Sequence, residues 1–156
     1  CALMKARGFS KEDFARFHPA GQLGRNLLLK VGDVMHKTAD CAVSKESDSI
    51  RSAVIEMTRK PLGAACVVGA DGKMSGLVTD GDLRRMLQTA VDLDSVKVCD
   101  IMTKSPVSVS PDASLGKAVE LMEARKSKIS VLPVVDESRN FLGLVRLHDI
   151  YQPSSR

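Results

Sequence analysis

The stretch Gly76-Leu77-Val78-Thr79-Asp80-Gly81-Asp82-Leu83 decides how this chain folds. Its first three residues end a short apolar strand, and Thr79 then stands three residues before Asp82, the spacing of a helix N-terminus. A hydroxyl and a carboxylate at i and i+3 share a face of the first helical turn, where unpaired N–H groups and the helix dipole favour a phosphate. The threonine can donate to a phosphate oxygen, and the aspartate can accept from both hydroxyls of a ribose. The same pair also forms a capping box, and alone it favours that structural interpretation.

The unit around this stretch occurs twice. The motif Asp33-Val34-Met35 returns 67 residues later as Asp100-Ile101-Met102, and Gly76-Leu77-Val78 returns at the same offset as Gly143-Leu144-Val145. Between these motifs each copy contains an amphipathic helix with apolar residues at i, i+3, i+4 and i+7. These residues are Ile50, Ala53, Val54 and Met57 in the first copy and, at an offset of 65, Leu115, Ala118, Val119 and Met122 in the second. The second copy is therefore two residues shorter before its helix, and we expect its hairpin region to regain them.

Each copy continues into two strands and a closing helix. We predict strands at 64–68 and 74–78 in the first copy and at 131–135 and 141–145 in the second, with closing helices at 81–89 and 148–151. A short strand precedes each long helix, near Val43 in the first copy and at 107–109 in the second. Asp71-Gly72 indicates a tight turn, and 137–140 indicates a longer loop. The result is an α+β fold of two β-α-β-β-α units related by a pseudo-twofold axis, each sheet burying its face against the other unit's helices.

The composition excludes several classes of function. The 156 residues carry 23 Lys and Arg against 19 Asp and Glu, a net charge of +4, and only 3% aromatic residues. Nucleic-acid binders add aromatic platforms to a basic face, so we expect small anionic ligands and no nucleic acid. The sequence lacks a signal peptide and the run of about 20 apolar residues that a membrane helix needs, which predicts a cytoplasmic protein without membrane contact. The four cysteines match no metal-binding or redox spacing, so we expect buried or idle thiols and no metal site.

The first 30 residues predict a helical tether. A capping box at Ser10 and Asp13 begins a helix that ends near Phe17, and three of the four phenylalanines fall within the first 17 positions. So short a segment cannot bury them alone, and we expect it to pack against a preceding domain of a longer protein. His18 follows in a loop rich in Pro and Gly, where an idle surface imidazole is the alternative to a functional one. The predicted divisions are 1–30, 31–94 and 95–156.

From about Val31 to Gln152 the chain resembles a tandem pair of CBS domains. The resemblance rests on the repeated Asp-apolar-Met motif, the order of the elements and the Gly-apolar-apolar-Thr-x-x-Asp ending. Such modules bind adenosine nucleotides between their repeats, which implies that Asp82 holds the ribose hydroxyls and Thr79 contacts phosphate. In the second copy Asp149 is retained, but Arg146 replaces the hydroxyl. A guanidinium can grip phosphate, fill the cleft or bond to Asp149 three residues later.

The N-terminal segment adds a second resemblance. Residues 5–9 and His18-Pro19-Ala20-Gly21-Gln22-Leu23-Gly24-Arg25, which lead into the CBS pair, resemble the C-terminal half of bacterial D-arabinose 5-phosphate isomerases. That family joins a sugar isomerase (SIS) domain to a CBS pair and interconverts D-ribulose 5-phosphate and D-arabinose 5-phosphate for the Kdo sugar of lipopolysaccharide or capsule. The resemblance implies that His18 is a catalytic histidine that acts only together with the SIS domain. It departs from the family pattern at Ala20, where a glycine is usual.

Three interpretations stay open on these residues. The chain is a regulatory module without catalysis or a required cofactor, whose ligand is an adenine nucleotide or a CMP-linked sugar. Alternatively it is a structural dimerisation module with empty clefts, or a CBS nucleotide sensor of another enzyme or transporter. The first interpretation implies an SIS domain in the same chain as a partner. We further expect a second copy of the chain, in a homodimer or tetramer with isologous contacts.

Overall fold

The computed structural model describes residues 29–89 and 92–152, which form two similar units. The predicted tether helices and His18 lie outside these residues, so they stay predictions. The first unit comprises α1 (Val31–Val34), β1 (His36–Lys37), a 3-10 turn (Thr38–Asp40), β2 (Ala42–Ser44), α2 (Ile50–Arg59), β3 (Ala64–Val68), β4 (Met74–Thr79) and α3 (Asp80–Leu87). The second unit comprises α4 (Val98–Ile101), β5 (Thr103–Lys104), α5 (Leu115–Glu123), β6 (Val131–Val135), β7 (Phe141–Arg146) and α6 (Leu147–Tyr151).

The strands and helices lie close to where the sequence pattern predicts them. The four long strands match their predicted bounds to within one residue, and both closing helices begin one residue early. The short strand expected at 107–109 is reduced to a single parallel bridge between Val109 and Val134. None of the helices in the described segments is long and apolar enough to span a lipid bilayer.

The repeated aspartate of each Asp-apolar-Met motif stabilises the start of a one-turn helix. The Oδ2 atom of Asp33 accepts a hydrogen bond at 2.8 Å from the backbone N–H of the residue before α1, and Asp100 does the same before α4 at 2.9 Å. The longer helices α2 and α5 use Ser49 and Ser114, whose hydroxyls accept from the backbone N–H three residues later. These caps satisfy donors that the first helical turn leaves unpaired, which explains why the residues recur in both copies.

The first strand of each repeat joins the sheet of the other repeat. The strand order is β1-β7-β6 in one sheet and β2-β3-β4-β5 in the other. β1 runs antiparallel to β7 beside Gly143, and β5 runs antiparallel to β4 beside Gly76. The leading helices follow their strands, because Val31 of α1 is buried in the core of the second repeat and Val98 of α4 in that of the first. The two repeats are therefore interlocked.

The pseudo-twofold axis passes between the two hairpins. Lys73 forms an antiparallel bridge with Asn140, which is the residue 67 positions later and thus its own equivalent. The backbone hydrogen bonds that flank this bridge, at 3.0 and 3.2 Å, are also related by the repeat. A residue that pairs with its own equivalent lies on the axis, so the predicted pseudo-twofold fold is confirmed.

The two sheets pack face to face across this axis. The buried residues between them are Cys41, Leu62, Ala64, Cys66, Met74, Leu77, Val131, Val135, Phe141 and Leu144, and none of these ten belongs to a helix. The expectation that each sheet buries a face against the other unit's helices therefore holds only for the short helices α1 and α4, and it is wrong for the longer helices. Helices α2 and α3 instead pack on the outer face of the first sheet, and α5 and α6 on that of the second. The reason is visible in β3 and β6, which are apolar at every position, as strands covered on both faces must be.

The second repeat has regained its two missing residues by the start of β6, because α5 is one residue shorter than α2 and the connection after it is three residues longer. Both hairpin turns have five residues, 69–73 and 136–140, so the longer loop expected in the second hairpin is wrong. The turns match because they pair with each other across the axis. The α2–β3 connection has four residues, whereas the α5–β6 connection has seven. The two repeats thus differ in length in the connection between their long helix and the strand that follows it.

The thiols in the described residues have no disulfide partners. Cys41 and Cys66 are buried between the two sheets, and Cys99 is half-buried. Burial raises the pKa of Cys41 to about 11 and holds the pKa of Cys66 well above its usual range. Cys1 lies outside the described residues. The expectation of buried, idle thiols is confirmed for Cys41 and Cys66, since thiols so far from ionisation are poor nucleophiles.

Candidate functional site

A cleft opens on the pseudo-twofold axis where the ends of β4 and β7 meet. Its volume is about 490 Å³, which lies within the usual range for sites that bind small molecules. Its walls contain four pairs of residues related by the repeat: Leu62 with Ile129, Gly63 with Ser130, Thr79 with Arg146, and Gly81 with His148. Because each pair draws one residue from each repeat, neither repeat alone would form this cleft, which we call the axial cleft.

Thr79 and Asp82 form the predicted capping box at the start of α3. The Oδ2 atom of Asp82 accepts hydrogen bonds from the Thr79 backbone N–H at 2.8 Å and from its hydroxyl at 2.9 Å. The two residues therefore form the helix cap that the sequence predicts. Thr79 also lines the axial cleft. Their roles toward phosphate and ribose stay predictions.

Arg85 separates Asp82 from the axial cleft. Its guanidinium donates to Oδ1 of Asp82, the carboxylate oxygen that the helix cap leaves free. A second cavity of about 350 Å³ lies on the far side and is lined by Asp82, Arg85, Met86, Thr89, Val96 and Ile101. Arg85 lines both spaces, and its side chain is 70% exposed. A ligand in the axial cleft would reach Asp82 only if this side chain turned aside.

The equivalent carboxylate in the second repeat is enclosed. Arg146 donates from Nε and Nη2 to the two oxygens of Asp149, both at 2.9 Å, and His36 Nε2 lies 3.0 Å from Oδ2. His36 reaches this site because β1 is part of the second repeat's sheet. The side chain of Asp149 is 10% exposed. Of the three roles expected for Arg146, the structure therefore contains the bond to Asp149. Arg146 also lines the axial cleft.

Because Asp149 is enclosed, we expect the stability of the fold to fall at low pH. Burial would raise the pKa of Asp149, but the hydrogen bonds from Arg146 and the charge of His36 outweigh it and hold this pKa below the ordinary 3.8. A carboxyl whose pKa is lower in the folded state stabilises the fold above its unfolded pKa, and this contribution is lost as the pH falls below about 4. We expect Asp149→Asn to lower the free energy of unfolding at pH 7 by about 3 kcal/mol, the low end of the cost of breaking a buried ion pair.

Urea unfolding between pH 3 and pH 7 measures this effect. The variant should show a shallower loss of stability with acid than the parent chain does. Asp112→Asn is the matched control, because Asp112 forms an exposed surface pair with Lys30 and should change stability by less than about 0.5 kcal/mol. If the free energy of unfolding falls equally with acid in Asp149→Asn and in the parent chain, Asp149 does not stabilise the fold through its ionised form.

The axial cleft is strongly basic. Arg84, Arg85, Lys128 and Arg146 line it, against a single carboxylate, Asp80. Two of these cations are already neutralised, Arg85 by Asp82 and Arg146 by Asp149. In residues 29–89 and 92–152, Arg84, Lys128 and His148 make no hydrogen bond or ion pair through their side chains. Unpaired cations around a concave space favour an anionic ligand.

Three contributors to this region were not singled out as site residues from the sequence. Arg84 and Lys128 lie in short basic pairs that look like ordinary solvated surface, and only the fold turns them toward one cleft. His36 is 113 residues from Asp149, and a strand of two residues gives no pattern from which its partner could be inferred. The basic pairs near Arg84 and Lys128 were the one signal available.

The domain architecture can be compared with that of known proteins. A profile of the CBS domain matches residues 31–89 and 98–153. The chain belongs to the CBS domain family. The two matched segments correspond to the two interlocked units, and a tandem CBS pair accounts for the repeated motifs and the cleft on the axis.

Curated relatives of this CBS pair include arabinose 5-phosphate isomerases. The chain is 42% identical over 149 residues to KdsD of Yersinia pestis, 40% to KdsD of Escherichia coli K12 and 42% to KdsD of Pseudomonas aeruginosa. Each alignment covers 96% of this chain but only 44% or 45% of the relative. The chain thus spans less than half the length of these relatives, and its resemblance to their C-terminal part is confirmed.

Solved structures share the fold. The CBS pair CBSX2 of Arabidopsis thaliana, solved in complex with AMP, superposes with a TM-score of 0.65 at 26% identity over 78% of this chain and 92% of that one. A protein from Pyrococcus horikoshii superposes with a TM-score of 0.71 at 24% identity over 83% of this chain and 95% of that one, which bears on the fold alone. The predicted α+β class with tandem CBS repeats is confirmed.

Proposed function

We propose that this chain is the nucleotide-binding regulatory module of a D-arabinose 5-phosphate isomerase, and that one adenine nucleotide binds in its axial cleft. The observation that carries the proposal is the cleft itself, whose wall contains Thr79, three arginines and one lysine, with Arg85 in contact with Asp82. The AMP complex of CBSX2, a structural neighbour at 26% identity, supports AMP as the first ligand to test.

The phosphate of the nucleotide would lie against Thr79 and Arg146, where donors from both repeats meet. The ribose hydroxyls would then bond to Asp82 after Arg85 has turned aside. Arg85 can make this movement because its side chain is 70% exposed, and the ribose hydroxyls would replace the hydrogen bond that the 11% exposed side chain of Asp82 loses. Opening this contact would also join the axial cleft to the second cavity, giving the base and the sugar more room.

The second repeat would not hold a nucleotide of its own. Both oxygens of Asp149 are engaged by Arg146 and His36, and freeing them would leave buried charge without partners. The first repeat differs because a threonine, Thr103, takes the place of His36 and makes no hydrogen bond to Asp82 within the described residues. One nucleotide per chain is therefore the expected stoichiometry.

Removing the Asp82 carboxylate should weaken AMP binding. We expect Asp82→Ala to lower the affinity about 10- to 100-fold, or about 1.5–3 kcal/mol, because a charged acceptor of two ribose hydrogen bonds is lost. Isothermal titration calorimetry with AMP on the 156-residue chain measures both this change and the stoichiometry.

The matched control for Asp82→Ala is Asp33→Ala. Asp33 accepts the same backbone hydrogen bond at the start of α1 but does not line either cavity described above. It should therefore lose a similar amount of stability and keep its AMP affinity. If Asp82→Ala binds AMP as tightly as Asp33→Ala does, Asp82 is a helix cap and nothing more.

A structural dimerisation module is the second candidate function. The observation in its favour is the closed Asp149 site, in which the protein's own side chains occupy the position of a ligand. The same calorimetry separates the two candidates, because a purely structural module would bind neither AMP nor a CMP-linked sugar. A CMP-linked sugar is the alternative ligand of the regulatory module, since a product of the same pathway would provide feedback.

The remaining parts of the proposal concern the whole enzyme. An SIS domain of the same chain would interconvert D-ribulose 5-phosphate and D-arabinose 5-phosphate, with His18 as an acid–base group, in the cytoplasmic synthesis of lipopolysaccharide or capsule. The CBS pair would bind no required cofactor and would regulate that domain. Two copies would associate through isologous contacts into a homodimer, or two dimers into a tetramer.

A further inference from the structure

The connection between α5 and β6 is the place where the two repeats differ beside the axial cleft. It has seven residues, 124–130, against four in the α2–β3 connection. The short connection uses its lysine internally, because Lys60 Nζ donates to the carbonyl of Cys41 at 3.0 Å. The long connection instead brings Ser127 and Lys128 to the wall of the cleft. At the repeat offset of 67, Lys128 takes the place of Pro61, so the second repeat adds a cation to the cleft that the first repeat does not supply.

Lys128 and Arg84 contribute to the same cleft from different repeats. Both side chains belong to exposed residues, and within the described parts of the chain neither makes an ion pair or hydrogen bond. Asp80 is the one carboxylate that lines the cleft with them, so two unpaired cations face one anion. The cations nearer the capping box, Arg85 and Arg146, already have carboxylate partners. An additional anionic group in the ligand would be drawn toward Lys128 and Arg84.

We infer that Lys128 and Arg84 form an anion subsite that favours ligands with a second phosphoryl group, such as nucleoside diphosphates, over monophosphates. The nucleoside part of this inference rests on the proposed function. The subsite itself does not, because inorganic pyrophosphate carries the same pair of phosphoryl groups without a nucleoside. Pyrophosphate is therefore the probe that tests the subsite alone.

The deciding experiment is calorimetric titration of sodium pyrophosphate into the parent chain and three variants. We expect Lys128→Ala and Arg84→Ala each to weaken pyrophosphate binding about tenfold, the usual effect of one charge-assisted hydrogen bond, and Lys128→Arg to retain it. Lys126→Ala is the matched control, because Lys126 belongs to the same connection but does not line the cleft. Thermal melting of each variant verifies that it is folded.

Two results would overturn the inference: the folded parent chain fails to bind pyrophosphate, or Lys126→Ala weakens binding as much as Lys128→Ala does. Titrations with AMP and ADP then test the nucleotide part. ADP should bind the parent about tenfold more tightly than AMP, and this preference should vanish in Lys128→Ala. Equal affinities in the parent would contradict the selectivity. If pyrophosphate binds and AMP does not, the subsite stands and the proposed function fails.

Discussion

Replacing Gly143 with alanine should cost the fold at least about 3 kcal/mol, the upper end of the usual penalty for overpacking a buried site. A Cβ atom at this position would overlap the backbone carbonyl of His36 and would lie 3.3 Å from the Cα of Lys37. Both belong to β1, the strand that the first repeat contributes to the second repeat's sheet. Because backbone atoms cannot rotate away as a side chain can, β1 would have to move.

Displacing β1 would also break the site behind it. His36 leaves Asp149 when β1 moves, so a buried carboxylate loses one of its partners. Urea unfolding monitored by circular dichroism measures the total loss. Gly76→Ala is a graded comparison with a smaller expected loss, because most of its overlap is with the flexible side chain of Met102.

The control for the glycine series is Gly116→Ala. Gly116 lies in α5, and the nearest atom to an added Cβ there is the Ser114 hydroxyl at 3.9 Å. Alanine should therefore raise stability by about 0.5–1 kcal/mol through its better helix propensity. An unchanged urea midpoint for Gly143→Ala would mean that β1 does not pair with β7 in solution.

Replacing His18 with alanine in the full-length enzyme should lower kcat about 100- to 10,000-fold, the usual range for losing a general acid–base group. An aldose–ketose shift moves a proton between neighbouring carbons, and an imidazole with an ordinary pKa near 6.5 suits this transfer at neutral pH. His18 is assigned by the family resemblance and lies outside the described residues. Steady-state kinetics with D-arabinose 5-phosphate gives kcat and KM separately.

The substrate KM and the affinity for AMP should change little in this variant, because His18 is assigned to the proton transfer alone. Lys126→Ala, a surface change far along the chain, controls for general damage to the enzyme. Turnover of His18→Ala within a few-fold of the parent enzyme would show that His18 takes no part in catalysis.

The local elements of this fold could be predicted because each carries its own signal. A capping box marks α3, the spacing of apolar residues marks α2 and α5, and continuous apolar runs mark β3 and β6. The repeat offset of 67 residues predicts that Lys73 and Asn140 are equivalent. The structure adds that these two residues pair, which locates the axis between them. Local patterns therefore predicted the longer elements, and the repeat of the sequence predicted the symmetry.

The rest depends on contacts between residues that are distant in sequence. β1 and β5 are two residues long and have no periodicity, so their exchange between the repeats has no sequence signal. The enclosure of Asp149 follows from that exchange, since it is β1 that brings His36 to it. The sequence offset showed that two residues were regained, but its placement in the hairpin was wrong because pairing across the axis forces equal turns there. Lys128 was not singled out as a cleft residue, because its place in the cleft wall also depends on how the two repeats pack together.

A crystal structure of the chain at a saturating concentration of AMP would show whether one adenine nucleotide binds on the axis between the repeats. We expect one AMP, with its phosphate bonded to Thr79 and Arg146, its ribose hydroxyls on Asp82, and Arg85 turned away from that carboxylate. The bonds of Asp149 to Arg146 and His36 should persist. AMP seated on Asp149 instead, or an axial cleft without AMP at a saturating concentration, would contradict the account.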